Sequence, residues 1–300
     1  MTAAMPIITD TNSLAEFCEQ LAKSAYVTVD TEFIREKTYW PQLCLVQLAD
    51  DDKAMAVDAE ADGIDLSPLF ELMANKNVLK VFHAARQDLE IFYKLAGALP
   101  TPLFDTQVAA MVCGFGESVG YETLVNKLVG EQVDKSSRFT DWSHRPLTDK
   151  QVSYALADVT HLRPIYEKLE AKLISSGRHE WLDEELGKLT DENIYKFPPR
   201  EAWRRVKARN PKPRFLAVLR EVTAWREIEA QTRDLPRNRV LRDEALVEIA
   251  HHTPKNVKEL ARTRGLGQRL AEGSAGEKLL QAVEAGLNLP EADCPSVPRR

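Results

Sequence analysis

The stretch Tyr26-Val-Thr-Val-Asp-Thr-Glu-Phe33 decides the fold. Its β-branched and aromatic residues favour a strand, in which residues two apart share a face. Asp30 and Glu32 therefore project together, while Val27, Val29 and Thr31 point into the sheet. Two neighbouring carboxylates repel each other unless a cation lies between them, and hard divalent ions such as Mg²⁺ and Mn²⁺ take oxygen ligands. A metal site is one reading of this pair and solvated acids at a strand end are the other. Carboxylates arriving from elsewhere in the chain decide between them.

Beyond this stretch, Leu43-Cys-Leu-Val-Gln-Leu-Ala49 and Ala54-Met-Ala-Val57 read as apolar strands around the turn-like Asp50-Asp-Asp-Lys53, giving an antiparallel meander. Leu14, Phe17 and Leu21 predict a helix over 10–23 that is capped within 11–13. A helix over 66–75, a strand over 78–82, a helix over 84–96 and a short strand at 103–107 leading into a helix follow. Such alternation predicts a mixed α/β sheet with helices on its faces.

His83-Ala-Ala-Arg-Gln-Asp88 falls where a strand becomes a helix, the usual position for functional groups in open α/β sheets. Asp88 would also complement the helix dipole there, and His83 would also serve as a hydrogen-bonded structural residue. Asp105, with Thr106, reads as a helix cap. Residues 117–150 interleave bases and aromatics, including Gly120-Tyr121, Lys135, Arg138, Asp141-Trp142 and Arg145. This composition suits phosphate contacts and base stacking, although Trp142 reads equally as core and the bases as solvated. Thr148 with Gln151 approximates a capping box for the next helix, on which Tyr154 and Asp158, four apart, share a face.

The 300 residues suffice for two domains, with 44% hydrophobic and 29% charged residues. The N-terminal region lacks a basic segment followed by an apolar run, and nowhere do eighteen apolar residues occur in succession. Cys18, Cys44, Cys113 and Cys294 are scattered without zinc-like spacing, so a reduced, cytoplasmic protein with no membrane partner is expected. The net charge of −6 hides an asymmetry: residues 1–190 carry 18 Lys+Arg against 30 Asp+Glu, and residues 191–300 carry 22 against 16. A basic second part suits an anionic polymer partner, and ordinary surface drift is the plainer account.

Prolines and bases from Lys196-Phe-Pro-Pro-Arg200 to Asn210-Pro-Lys-Pro213 predict a connector over 191–210. Helical spacing returns at Leu216, Leu219, Val222 and Trp225 and continues through Pro- and Gly-marked turns, predicting a small all-α bundle over 211–290 and a tail over 291–300.

The ordered set Asp30, Glu32, Asp88, Tyr154 and Asp158 resembles the signature of the DEDD superfamily of 3′→5′ exonucleases, in its subclass with Tyr-x-x-x-Asp as third motif. The sister subclass has a histidine five before the aspartate, where this chain has Ser153. Val29-Asp-Thr-Glu-Phe33, Leu43-Cys-Leu-Val-Gln-Leu48, Val81-Phe-His-Ala-Ala85, Phe104-Asp-Thr-Gln107, Arg145-Pro-Leu147 and Tyr154-Ala-Leu-Ala-Asp-Val159 resemble the ribonuclease D family more closely. Residues from 211 resemble one helicase-and-ribonuclease-D C-terminal (HRDC) domain. Some members of the family carry a second copy.

The resemblance implies a ribonuclease-H-like exonuclease domain over 1–190 that hydrolyses RNA 3′ ends with two divalent ions, Mg²⁺ or Mn²⁺, and releases nucleoside 5′-monophosphates. Precursors of tRNA and other small structured RNAs are the implied substrates. It further implies that Asp30 bridges both ions, that Glu32 and Asp158 complete one site and Asp88 helps hold the other, and that Tyr154 orients the attacking water. Phe33, Phe82 and Trp142 are candidate wedge or stacking residues, with core packing the alternative for each. His83, Lys135, Arg138 and Arg145 are candidate substrate contacts. No Gly-x-x-x-x-Gly-Lys loop occurs, so no nucleotide cofactor is expected. A monomer is expected. A DNA 3′→5′ exonuclease and a catalytically silent RNA-binding protein are the alternatives, and the complete acidic set weighs against the second.

Overall fold

A computed structural model describes residues 6–134, 137, 140–209 and 211–296. The chain divides into two compact units: residues up to Ile34 with Pro41–Tyr195, and Arg35–Trp40 with the residues from Lys196 onward.

The first unit is built on a six-stranded sheet of β1 (Ile7–Ile8), β2 (Tyr26–Ile34), β3 (Gln42–Ala49), β4 (Ala54–Asp58), β5 (Leu79–Phe82) and β6 (Leu103–Asp105), in the order β1-β4-β3-β2-β5-β6. The meander β2-β3-β4 is antiparallel as its sequence predicts, and β5 and β6 add in parallel through helical crossovers. The two-residue β1, parallel to β4, is too short to leave a periodic signal.

Helices cover both faces. On one lie α1 (Thr11–Leu21), α2 (Ser67–Ala74) and α3 (Arg86–Ala96), whose Leu14, Phe17, Leu69, Leu89 and Phe92 bury against Val27 and Val29. Asp10 caps α1, one residue before the predicted capping segment, and accepts from the Ser13 N–H at 2.9 Å. The other face carries α4 (Thr106–Val112), the short α5 (Tyr121–Leu124), the long α6 (Asp149–Ser176) and α7 (His179–Leu189). The Thr148 capping box is present: its hydroxyl accepts from the Gln151 N–H, and its own N–H donates to Gln151 Oε1 at 3.0 Å. Thr28 Oγ1 donates to the Val159 carbonyl at 2.8 Å, so the Thr28 side of β2 faces α6. By strand alternation Asp30 and Glu32 share that side.

The second unit is helical: α8 (Pro213–Thr232), α9 (Arg237–Val240), α10 (Asp243–His252), α11 (Val257–Leu260), α12 (Gln268–Ala271) and α13 (Ser274–Asn288). Two details depart from the sequence reading. Where a connector is expected, Pro199–Arg205 forms a 3₁₀ helix whose Ala202 is buried and whose Trp203 packs in this unit's core. Residues 35–40, continuous with β2, also belong here, and Tyr39 is buried in the same core.

Candidate active site

β2 carries Asp30 and Glu32 to the edge of a cavity of about 430 Å³, and α6 carries Tyr154 and Asp158 to it. Ligand oxygens of Asp30, Glu32 and Asp158 lie within 4.8 Å of one another. No lysine or arginine lines this cavity among the described residues. Burial and the charges of Asp30, Asp158 and Asp88 push the Glu32 carboxyl up to about 9. Burial raises Asp30 to about 6, against the opposing pull of the Thr31 backbone N–H. Three hard oxygen donors at this spacing, held where protons are their alternative to a cation, fit a divalent ion.

Asp88 lies outside that 4.8 Å group. It projects from the first turn of α3, is buried, and accepts a hydrogen bond from the Thr31 hydroxyl. Burial, then the Asp30 charge, holds its pKa well above the ordinary carboxylate value. Thr31 faces the α3 side of β2 by alternation, so Asp88 approaches from the opposite side of the strand to Asp158.

The turn that delivers α3 is itself braced. Asp105 caps α4 through the N–H groups of Gln107 and Val108, as the sequence predicts, and also accepts from the N–H groups of Ala84 and Ala85, at 3.1 and 2.8 Å. Ala84 has φ +55°, a left-handed conformation that costs a non-glycine residue about 1 kcal/mol, and the Asp105 bonds offset it. His83 lines the cavity with Nδ1 2.9 Å from Thr106 Oγ1, and burial lowers its pKa despite the opposing Asp105 charge. Its ring leans on Tyr121 at 5.4 Å. Tyr121 donates its hydroxyl proton to the Asp158 carbonyl and so steadies the α6 turn that presents the acid. Thr31, read from the sequence only as facing the sheet, and Tyr121, read only as one aromatic of the 117–150 segment, are neighbours of the acidic residues; strand alternation after Asp30 was the signal for Thr31.

The expected substrate contacts separate. Phe82 is fully buried in the first core and Trp142 is 3% exposed in another, so both are core residues and not stacking platforms. Trp142 packs 6.1 Å from the Tyr154 ring and so supports the site from behind. Phe33 is half-buried against the first core. Arg145 is held by the Asp58 carboxylate at 2.6 and 2.7 Å and by the carbonyls of Trp142 and Cys44. Those bonds tie the 141–147 loop to β3 and β4 instead of leaving a guanidinium for phosphate. Lys135 and Arg138 lie outside the described residues.

A 3′-5′ exonuclease family matches residues 5–174, and the HRDC domain matches residues 215–283. Ribonuclease D of Jannaschia sp. is 53% identical over 97% of this chain and 76% of its own length. The chain belongs to the ribonuclease D family. Ribonuclease D of Granulibacter bethesdensis is 49% identical over 98% of this chain and 74% of its own length. The crystal structure of Escherichia coli RNase D, described as an exoribonuclease involved in structured RNA processing, matches with TM-score 0.89 and 36% identity, covering 98% of this chain and 78% of that one. The catalytic core of RRP6 from Trypanosoma brucei matches with TM-score 0.70 at 21% identity, over 95% of this chain and 80% of that one, and speaks for the fold alone.

Family membership makes this chain a metal-dependent hydrolytic 3′→5′ exoribonuclease, with an exonuclease domain followed by an HRDC domain. No described helix is long and apolar enough to cross a membrane.

Proposed function

We propose that the β2/α6 cavity is the catalytic centre and that it removes nucleoside 5′-monophosphates one at a time from the 3′ ends of tRNA precursors and other small structured RNAs in the cytoplasm. The observation that carries this reading is the convergence of Asp30, Glu32 and Asp158 in one cavity, with ligand oxygens within 4.8 Å of one another. Asp30, Glu32 and Asp158 would hold one divalent ion, and Asp30 with Asp88 a second, Mg²⁺ or Mn²⁺ in each case. When bound, such ions stabilise charge on the attacking and leaving oxygens of an in-line displacement and make water acidic enough to attack near neutral pH.

The chain's own groups supply position. Tyr154, half-buried in the cavity wall, is placed to hold the attacking water through its hydroxyl. With an ordinary pKa of about 10, tyrosine serves better as a hydrogen-bonding guide than as a base. His83 keeps its ring near neutral and so presents a face to the terminal nucleotide without adding charge. The Thr31 hydroxyl fixes the orientation of the Asp88 carboxylate.

A 5′-labelled RNA with a 3′ extension tests the reading. Tyr154→Phe is expected to lower kcat about a hundredfold, as loss of a positioned proton partner does, with KM little changed and nucleoside 5′-monophosphate as the wild-type product. Wild-type turnover in Tyr154→Phe removes its assigned role. Products bearing a 3′-phosphate would contradict the proposed chemistry.

A further inference from the structure

His83 follows the last residue of β5, and Thr106 follows the last residue of β6. Phe82 and Asp105 are partners in the parallel register of these strands, so the next residue of each chain meets the other at the carboxyl edge of the sheet. There His83 Nδ1 lies 2.9 Å from Thr106 Oγ1. A second bond fixes the direction of this one. Thr106 Oγ1 also lies 3.1 Å from the Phe82 carbonyl, which can only accept, so the single hydroxyl proton is committed there. The hydroxyl oxygen then receives from the ring, and the His83 proton sits on Nδ1.

A neutral imidazole has one such proton, which leaves Nε2 as a bare acceptor. Burial keeps the ring neutral by lowering its pKa. Asp105, whose charge favours the imidazolium, is itself taken up by the N–H groups of Ala84, Ala85, Gln107 and Val108. Nε2 bonds to no described residue, and His83 lines the β2/α6 cavity. Tyr121, on which the ring leans, has its hydroxyl proton on the Asp158 carbonyl and so does not supply the missing donor.

A lone pair in this place repels phosphate oxygens and calls for a ligand group that brings a proton. A terminal nucleotide offers its ribose hydroxyls and, on some bases only, an amine. Of these the 2′-hydroxyl alone separates RNA from DNA. We infer that His83 Nε2 accepts a hydrogen bond from the 2′-hydroxyl of the 3′-terminal nucleotide and so makes this site select RNA ends over DNA ends. The inference rests on the reading of the cavity above and deepens it. Thr106 is then a positioning residue, which sets the tautomer of His83 without touching the substrate.

The test uses the full chain with Mn²⁺ and 5′-labelled RNAs of one sequence whose last nucleotide is ribo, 2′-deoxy, 2′-fluoro or 3′-deoxy. It reads the single-turnover rate at which that nucleotide is removed. The wild type is expected to remove the ribonucleotide about tenfold faster than the 2′-deoxy and 2′-fluoro forms, neither of which can donate. His83→Phe keeps a ring against Tyr121 and has no acceptor, and it should bring this ratio to about one by slowing removal of the ribonucleotide. Thr106→Val releases the tautomer and should give a ratio between the two. Any penalty for a 3′-deoxy end should be the same in the wild type and in His83→Phe. Nitrogen-15 NMR of the wild-type imidazole should place the proton on Nδ1, which keeps the proposal testable if a variant misfolds. If the wild type degrades RNA and removes 2′-deoxy and ribo ends equally fast, if His83→Phe keeps the wild-type ratio, or if Nε2 carries the proton, the assignment is overturned. A 3′-deoxy penalty that vanishes in His83→Phe also overturns it, since the acceptor would then serve the other hydroxyl. If the wild type degrades no RNA, the reading beneath it fails instead.

Discussion

Both units bury carboxylates, and they treat them in opposite ways. In the HRDC unit Glu227 is 1% exposed and receives hydrogen bonds from the Tyr39 hydroxyl and the Arg237 guanidinium, which itself lies 4.6 Å from the Tyr39 ring centroid. Burial opposes ionisation of Glu227, the Arg237 and Tyr39 bonds outweigh it, and its pKa falls below the ordinary value. In the exonuclease unit ligand oxygens of Asp30, Glu32 and Asp158 gather within 4.8 Å of one another, no lysine or arginine lines their cavity among the described residues, and Asp30, Glu32 and Asp88 have raised pKa values. A network closed by its own cation is structural. One whose members raise one another's pKa values suits a cation from outside.

Breaking the two networks should therefore have different consequences. Asp30→Ala is expected to lower kcat about a thousandfold or more, the loss of several kcal/mol of transition-state charge stabilisation, while metal-free thermal stability stays equal or rises because a repelling charge is gone. Melting and single-turnover cleavage of one preparation check both halves. Glu227→Ala should do the reverse: about 3 kcal/mol of stability lost to denaturant, since Arg237 and Tyr39 lose their partner. Residual folded enzyme should keep its turnover at saturating RNA. Equal loss of activity and stability in both variants would erase the distinction.

Thr31→Val sharpens it within the active site. Removing the hydroxyl that orients Asp88, in a side chain of nearly the same shape, is expected to weaken Mn²⁺ activation about tenfold with stability little altered. A metal titration of activity reads this directly. The last effect is a pH dependence of the melting temperature. Glu32 titrates near 4.5 when unfolded and at about 9 when folded, so the metal-free fold binds the extra proton across that window and loses stability as pH rises through it. A bound divalent ion removes that penalty. The difference in melting temperature between Mn²⁺ and EDTA should grow from pH 5 to pH 9, and a constant difference would contradict the raised pKa.

How much was legible in the sequence follows from the same contrast. Asp30 and Glu32 stand out because period-two alternation places acids together on a strand otherwise rich in β-branched residues, and Tyr154 with Asp158 repeats the signal at helical spacing. The meander and the strand-to-helix junction at His83 were equally readable. Tyr39 was not, because its partner Glu227 lies 188 residues on, and nothing local distinguishes Arg35–Trp40 from the end of β2. Phe82 and Trp142 were read as stacking candidates because an aromatic beside an active site has the same sequence whether its ring meets a base or a neighbouring side chain. Arg145 misled for a related reason: its carboxylate partner Asp58 comes from β4, 87 residues earlier.

Calorimetric titration of the full chain with Mn²⁺ at pH 7.5, in two buffers of different ionisation enthalpy, tests the central claim most directly. A carboxyl with a pKa of about 9 is protonated at that pH and must release its proton when an ion binds. Binding accompanied by release of about one proton, with both lost in Asp30→Ala, is the expected result. Binding that releases no proton, or that Asp30→Ala leaves unchanged, would contradict the account.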